Sequence, residues 1–200
     1  CSPSNPLGHK FSKESIYRVC EYFSDSGLVV LDGAYVEFDS DEVYKEILSK
    51  FDNVIILRTL SKAFGLAGVR CGVLISSDEI CQYIERVIPP YSFSTPAVNA
   101  VIESLSDEGI KESKRNIETI IEDRKWLETE FASLDEVIEV FPSYTNFILV
   151  KVNDAKAFCK KSQDLGFLLR DVSYQPLLEN CVRITVGTTE QNQKLIRGLK

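Results

Sequence analysis

The chain has 200 residues, 44% of them hydrophobic and 26% charged, which is enough to enclose a real core as one large domain or two small ones. A formal net charge of -7, with no run of basic residues, argues against a nucleic-acid partner, whose phosphates would be repelled. The longest apolar stretches, residues 27–31 and 71–75, are strand-length and far below the roughly 20 residues of a membrane span, so a soluble protein is expected. Six cysteines (Cys1, Cys20, Cys71, Cys81, Cys159 and Cys181) form no C-x-x-C pair and have only His9 to help them. That supports neither zinc nor a disulfide framework, and predicts reduced, mostly buried thiols in the cytosol. The first residue is Cys1 and no charged-then-apolar leader follows, so the chain reads as an excised or incomplete piece, in which a site drawing on an upstream segment lacks parts.

In chain order, residues 12–23 carry Ile16, Val19, Cys20 and Phe23 at helical spacing, and residues 28–31 follow as a buried strand. Residues 41–50 predict a short helix through Val43, Ile47 and Leu48. The β-branched apolar run 54–57 predicts a buried parallel strand, and 71–75 another strand after an intervening loop. Asp78 is expected to cap a helix running to Val87, with Pro89-Pro90 ending it. A second helix starts near Thr95-Pro96. A long helix over 108–131 then carries an apolar stripe of Ile110, Ile117, Ile120, Ile121, Trp126 and Leu127, and reads as a bridge between domains. The remainder alternates shorter elements: strands 137–140 and 146–152, helix 154–165, strands 167–170 and 181–186, and a closing helix from Thr189. The expected organisation is 1–95 as part of an α/β large domain with a mostly parallel sheet, 96–131 as bridging helices, and 132–200 as a small α+β domain.

The chemistry-bearing residues gather around the 54–57 strand. Lys62 falls just past its carboxyl end, where open α/β sheets place their sites. A lysine desolvated there and held beside a second cation, Arg70, favours its neutral, nucleophilic amine, which suggests Schiff-base chemistry. A solvated loop lysine is the plainer alternative. Asp32 ends the 28–31 strand on the same edge and can pair with a protonated ring nitrogen, or simply cap a turn with Gly33. Tyr35 can donate its phenolic hydrogen to a cofactor oxygen or serve as core. Asn5 lies in a proline-flanked turn that orients its amide, or leaves it on the surface. Ser61 and Arg70 are the donor types that grip phosphate.

Together these residues resemble a family. Asn5 in an N-P-x-G turn, Asp32 and Tyr35 in a D-x-A-Y turn, and Ser-Lys-x-x-G-x-x-G-x-R around Lys62 match, in order and spacing, the fold-type I aminotransferases of class I/II that use pyridoxal phosphate. Four strings are similar in particular to the histidinol-phosphate aminotransferase subfamily: Asp32-Gly-Ala-Tyr-Val-Glu-Phe38, Leu57-Arg-Thr-Leu-Ser-Lys-Ala-Phe-Gly-Leu-Ala-Gly-Val-Arg-Cys-Gly72, Pro90-Tyr-Ser-Phe-Ser-Thr-Pro96 and Val182-Arg-Ile-Thr-Val-Gly-Thr188. The resemblance runs over essentially the whole chain.

It implies that Lys62 forms the Schiff base with pyridoxal 5'-phosphate and later moves the substrate Cα proton. Asp32 would hold the pyridinium, Asn5 and Tyr35 the ring hydroxyl oxygen, and Ser61 and Arg70 the phosphate. Arg183 and Arg170 would grip the anionic end of the substrate. The implied reaction is transamination of L-histidinol phosphate with 2-oxoglutarate, in the cytoplasm and by a homodimer. An aromatic aminotransferase, a threonine-phosphate decarboxylase and a catalytically incompetent piece stand as alternatives. Two departures occur: Gly33 where the family has Glu, and Leu7 where it has Thr. Family members also supply part of the phosphate cradle, a ring-stacking aromatic and a cross-subunit tyrosine from upstream residues, so these 200 residues alone are expected to hold cofactor weakly and to be inactive.

Overall fold

Val29–Asp32 (β1) and Val54–Thr59 (β2) pair in parallel, Val29 opposite Val54 and Asp32 opposite Leu57, so both strands end at one edge of a sheet. Gly72–Ile75 (β3) returns antiparallel along β2 with Gly72 opposite Thr59, which puts the 60–71 connection at that same edge. The computed structural model describes residues 1–39 and 43–200. They divide into two units, Cys1–Pro3 with Lys10–Asn116, and Ser4–His9 with Ile117–Lys200.

In the first unit, helix α1 (Lys13–Tyr22) begins at Ser12, whose hydroxyl accepts from Ser15 N–H at 3.2 Å. Its Ile16 and Cys20 join Val29 and Leu31 of β1, Val54 and Ile56 of β2, Val36, and Tyr44 and Ile47 of α2 (Val43–Leu48) in one core. The expected start of that second helix at Asp41 lies outside the described residues. Burial along β1 alternates, which corrects the expectation of a wholly buried strand: Val29 and Leu31 turn into this core, while Leu28 and Val30 are exposed. For the same reason Val19 and Phe23, around the helix from Ile16 and Cys20, stay largely in solvent.

Helix α3 (Asp78–Glu85) has Ser77, not Asp78, at its N-cap position. Asp78 and Glu79 lie in its first turn, where their charge complements the helix dipole. The helix stops before Val87 and well before the prolines. Helix α4 (Thr95–Ser104) starts after Ser94 with Pro96 in its first turn, where no partner for its nitrogen is needed. Helix α5 (Asp107–Ala132) carries the chain from the first unit into the second. Of its expected stripe only Leu127 is fully buried, joined by Phe131.

The second unit is a four-stranded antiparallel sheet, β4 (Val137–Phe141), β5 (Phe147–Val152), β6 (Arg170–Asp171) and β7 (Cys181–Thr185), in the order β4-β5-β7-β6. The end of α5 packs with α6 (Ala155–Asp164) and α7 (Thr189–Leu199) on the face that presents Ile148, Val150, Val152, Val182 and Ile184. The other face holds Leu149, Val172, Leu178 and Cys181. The strand expected over 167–170 shrinks to two residues, because Phe167 and Leu169 pack against the helix-covered core before the ladder begins at Arg170. A capping box between Thr188 and Gln191 opens α7. All six cysteines are free, but only Cys20 and Cys181 are buried, fewer than their sequence setting suggests.

Candidate active site

In the first unit, β1 delivers Asp32 and β2 delivers Ser61 and Lys62 to one sheet edge. Asp32 Oδ1 accepts from Ala34 N–H at 3.1 Å, a turn that leads the chain into a short 3-10 segment, Val36–Phe38. Tyr35 opens that segment and is buried, with the ammonium of Lys62 5.6 Å above the centre of its ring. The loop carrying Lys62 is closed by its own backbone: Leu60 N–H donates to Cys71 O, Leu66 N–H to Leu60 O, and Gly65 N–H to Lys62 O. Ser61 N–H donates to Thr59 Oγ1 at 3.1 Å, so its position is fixed from the end of β2.

Lys62 is exposed, which corrects the expectation of a desolvated amine. Its loop is open at Gly65 and Gly68, where a Cβ would meet no atom within 4 Å. Arg70 adopts a left-handed conformation with φ 59 and its exposed guanidinium donates to Ala67 O at 3.0 Å. Neither Lys62 nor Arg70 has a carboxylate partner among the described residues, in a chain with 30 acidic and 23 basic side chains. Lys62, Arg70 and the Ser61 hydroxyl, in the loop that leaves the edge where Asp32 ends β1, are donor and acceptor types that could hold a ligand carrying an anionic group, a carbonyl and a basic ring atom.

In the second unit, Arg183 of β7 donates to Asn5 Oδ1 at 2.6 Å, and its guanidinium lies 5.1 Å from the centre of the Phe147 ring. Its Nε is buried without a hydrogen-bond partner among the described residues. Arg170 of β6 stands directly opposite Arg183 in the ladder, exposed. The Asn5 turn is clamped to the strand ends: Gly8 has φ +73 and would bring a Cβ to within 2.6 Å of Ser143 Oγ, while Tyr144 N–H donates to Gly8 O. Leu7, one of the departures, is partly exposed and meets none of these groups in a hydrogen bond.

Ser143 N–H in turn donates to Glu128 Oε1 at 3.3 Å. Burial pushes the Glu128 carboxyl up, against the pull of Arg124, the Ser143 N–H and Lys125. A folded value above the unfolded one means a stability contribution that is complete below the unfolded value and lost as pH rises through the folded one. Glu128→Gln, which keeps an acceptor for Ser143, is therefore expected to raise the thermal midpoint at neutral pH. At acid pH below the carboxylate range it should leave it unchanged, and a loss of midpoint at neutral pH would refute the assignment.

In each unit, groups beside these residues carry little signal in sequence pattern. Arg58 donates to Glu37 Oε1 through Nη2 at 2.7 Å and Nε at 3.3 Å, bracing the segment after Tyr35 against β2. Phe147 lies under Arg183 because β5 is the neighbour of β7, an adjacency that only the sheet order reveals. The alternation of Phe147 and Leu149 on one face was the available hint.

The first unit is an α/β arrangement in which Asp32 ends β1 and Lys62 follows β2 at the same sheet edge. Residues 1–199 match the family model described as aminotransferase class I and II, and the chain belongs to that family. A histidinol-phosphate aminotransferase of Pectobacterium carotovorum subsp. carotovorum (strain PC1) is 38% identical over 200 residues, covering 100% of this chain and 56% of that protein. The crystal structure of the histidinol-phosphate aminotransferase from Clostridium acetobutylicum matches with TM-score 0.89 at 25% identity, covering 100% of this chain and 61% of that one. The enzyme of that name from Sinorhizobium meliloti, in complex with pyridoxal-5'-phosphate, matches with TM-score 0.82 at 26% identity, covering 99% of this chain and 55% of that one. The chain spans about half the length of the curated relatives it matches.

Proposed function

We propose that the protein is a pyridoxal-phosphate-dependent aminotransferase that converts L-histidinol phosphate and 2-oxoglutarate to imidazole acetol phosphate and L-glutamate, a step of histidine biosynthesis. The observation that carries this reading is Lys62, an ammonium without a carboxylate partner among the described residues, over the Tyr35 ring at the edge where Asp32 ends β1. Bound there, pyridoxal phosphate supplies an aldehyde for a lysine and a ring that withdraws electrons from the substrate Cα. Lys62 would then be both the residue that holds the group covalently and the base that takes and returns the Cα proton. Asp32 would accept a hydrogen bond from the protonated ring nitrogen, Tyr35 and the Asn5 amide would donate to the ring hydroxyl oxygen, and Ser61 and Arg70 would bind the phosphate.

On the substrate side, Arg183 and Arg170 take the anionic end. Histidinol phosphate offers a phosphate and glutamate a carboxylate, and a guanidinium fork suits both. Cytoplasmic residence and a homodimer belong to the same reading and rest on the family. The test is amino transfer to 2-oxoglutarate by the full-length protein, with L-histidinol phosphate and L-phenylalanine as competing donors. Histidinol phosphate is expected to be preferred by about a hundredfold or more in kcat/KM, since its doubly charged phosphate can engage both guanidinium groups where phenylalanine offers a single carboxylate and no second anionic group. Preference for phenylalanine, or release of carbon dioxide in place of amino transfer, would assign the protein to another branch of the family.

A further inference from the structure

Asp32 sits at the end of β1, and the hydrogen bond that fixes its carbonyl comes from outside the sheet. Ser2 N–H donates to Asp32 O at 3.0 Å. Ser2 is buried, and its hydroxyl accepts from Phe11 N–H at 3.1 Å. Its own carbonyl accepts from the phenol of Tyr44, in α2. The Tyr44 ring also lies against the next residue of the turn: a Cβ on Gly33 would stand 3.4 Å from Tyr44 Cε1, 3.3 Å from Arg58 Cδ and 3.2 Å from the Leu57 carbonyl oxygen. Gly33 N–H donates to that same oxygen at 2.9 Å. One tyrosine thus braces both sides of the turn that aims the Asp32 carboxylate.

We infer that Tyr44 is a positioning residue for Asp32: its hydroxyl holds Ser2, Ser2 holds the Asp32 backbone, and its ring closes the space beside Gly33. The inference rests on the reading of Asp32 as the partner of the cofactor's ring nitrogen. Tyr44 is suited to the role because it stays a donor. Burial raises its phenol to about 12; the bond to Ser2 and the charge of Arg58 lower it, and Asp39 and Asp32 raise it. Gly33, a departure from the family pattern, has a physical place here, since a larger residue would press on Tyr44, Arg58 and the Leu57 carbonyl together.

A hydrogen bond weakens steeply as its angle drifts, so a slack Asp32 retains the ring-nitrogen proton less well. A positive ring nitrogen disfavours a proton on the nitrogen contributed by Lys62, so its loss raises the pH at which the visible absorbance of the bound cofactor titrates. The experiment is that titration, with a cofactor Kd, on full-length protein loaded with pyridoxal phosphate. Tyr44→Phe fills the same space and lacks only the hydroxyl. It is expected to move the midpoint up by about half a pH unit and to raise Kd about fivefold, the scale of one lost buried hydrogen bond. Gly33→Ala should move the midpoint the same way, and Asp32→Asn further in that direction. If Asp32→Asn moves the midpoint while Tyr44→Phe and Gly33→Ala do not, the role of Tyr44 is overturned. If Asp32→Asn leaves the midpoint in place, the reading of Asp32 itself is overturned, and the inference with it.

Discussion

Replacing Lys62 by alanine in the full-length protein is expected to lower transamination by about a thousandfold or more and to abolish the visible absorbance that pyridoxal phosphate gains on binding. Two losses combine in the one substitution. The covalent anchor disappears, and so does the group that carries the Cα proton, a role worth roughly 10²–10⁴ in rate by itself. They act through a single nitrogen, so the loss is that of the unit and not the product of two independent terms. Lys62→Arg makes the distinction from charge: it keeps a cation over the Tyr35 ring yet cannot serve as an amine nucleophile. An arginine variant as inactive as the alanine variant supports bond formation as the essential function. Either variant retaining the absorbance and the rate would remove Lys62 from the mechanism. The exposure of Lys62 sharpens the expectation, because in this chain the amine is placed by its loop and by Tyr35, not by burial.

What could be read from sequence was the local part of this arrangement. The run 54–57 is apolar and β-branched and becomes the central strand of its sheet; Lys62 follows it at the strand's carboxyl edge, as does Asp32 after β1. The closing helix expected from Thr189 begins there, as α7. Where the reading slipped, the deciding partner was distant. Val30 is as apolar as Val29, and only the position of α1 and α2 on one side of β1 leaves it exposed. Ser77 took the capping position from Asp78 because two adjacent residues of the same capping type differ only in backbone geometry, which is where helix ends are least determined. Tyr44 and Ser2 are joined by a hydrogen bond across 42 positions, which no periodicity encodes.

The second large effect is expected at Arg183. Arg170 faces it directly across the β6–β7 ladder, and like charges in that relation oppose sheet formation. Neither guanidinium is neutralised by a carboxylate among the described residues, and Arg183 keeps a buried Nε without a partner while Nη1 is steered by Asn5 at 2.6 Å. Retaining two facing cations costs stability in the free protein and is offset when an anion bridges them. Arg183→Gln is therefore expected to raise KM for both histidinol phosphate and glutamate about a hundredfold, the scale of losing one partner of a charged hydrogen-bonded pair, with a smaller change in kcat. Arg170→Gln, at the exposed member, should raise KM about tenfold, as suits a charge screened by solvent. The thermal midpoint of ligand-free protein separates recognition from folding: relief of the repulsion compensates for the lost contacts with Asn5 and Phe147, so it should hardly move. A variant that melts much earlier while KM stays unchanged would make Arg183 a structural residue. A rise in KM for only one of the two substrates would show that their anionic groups do not share this pair of arginines.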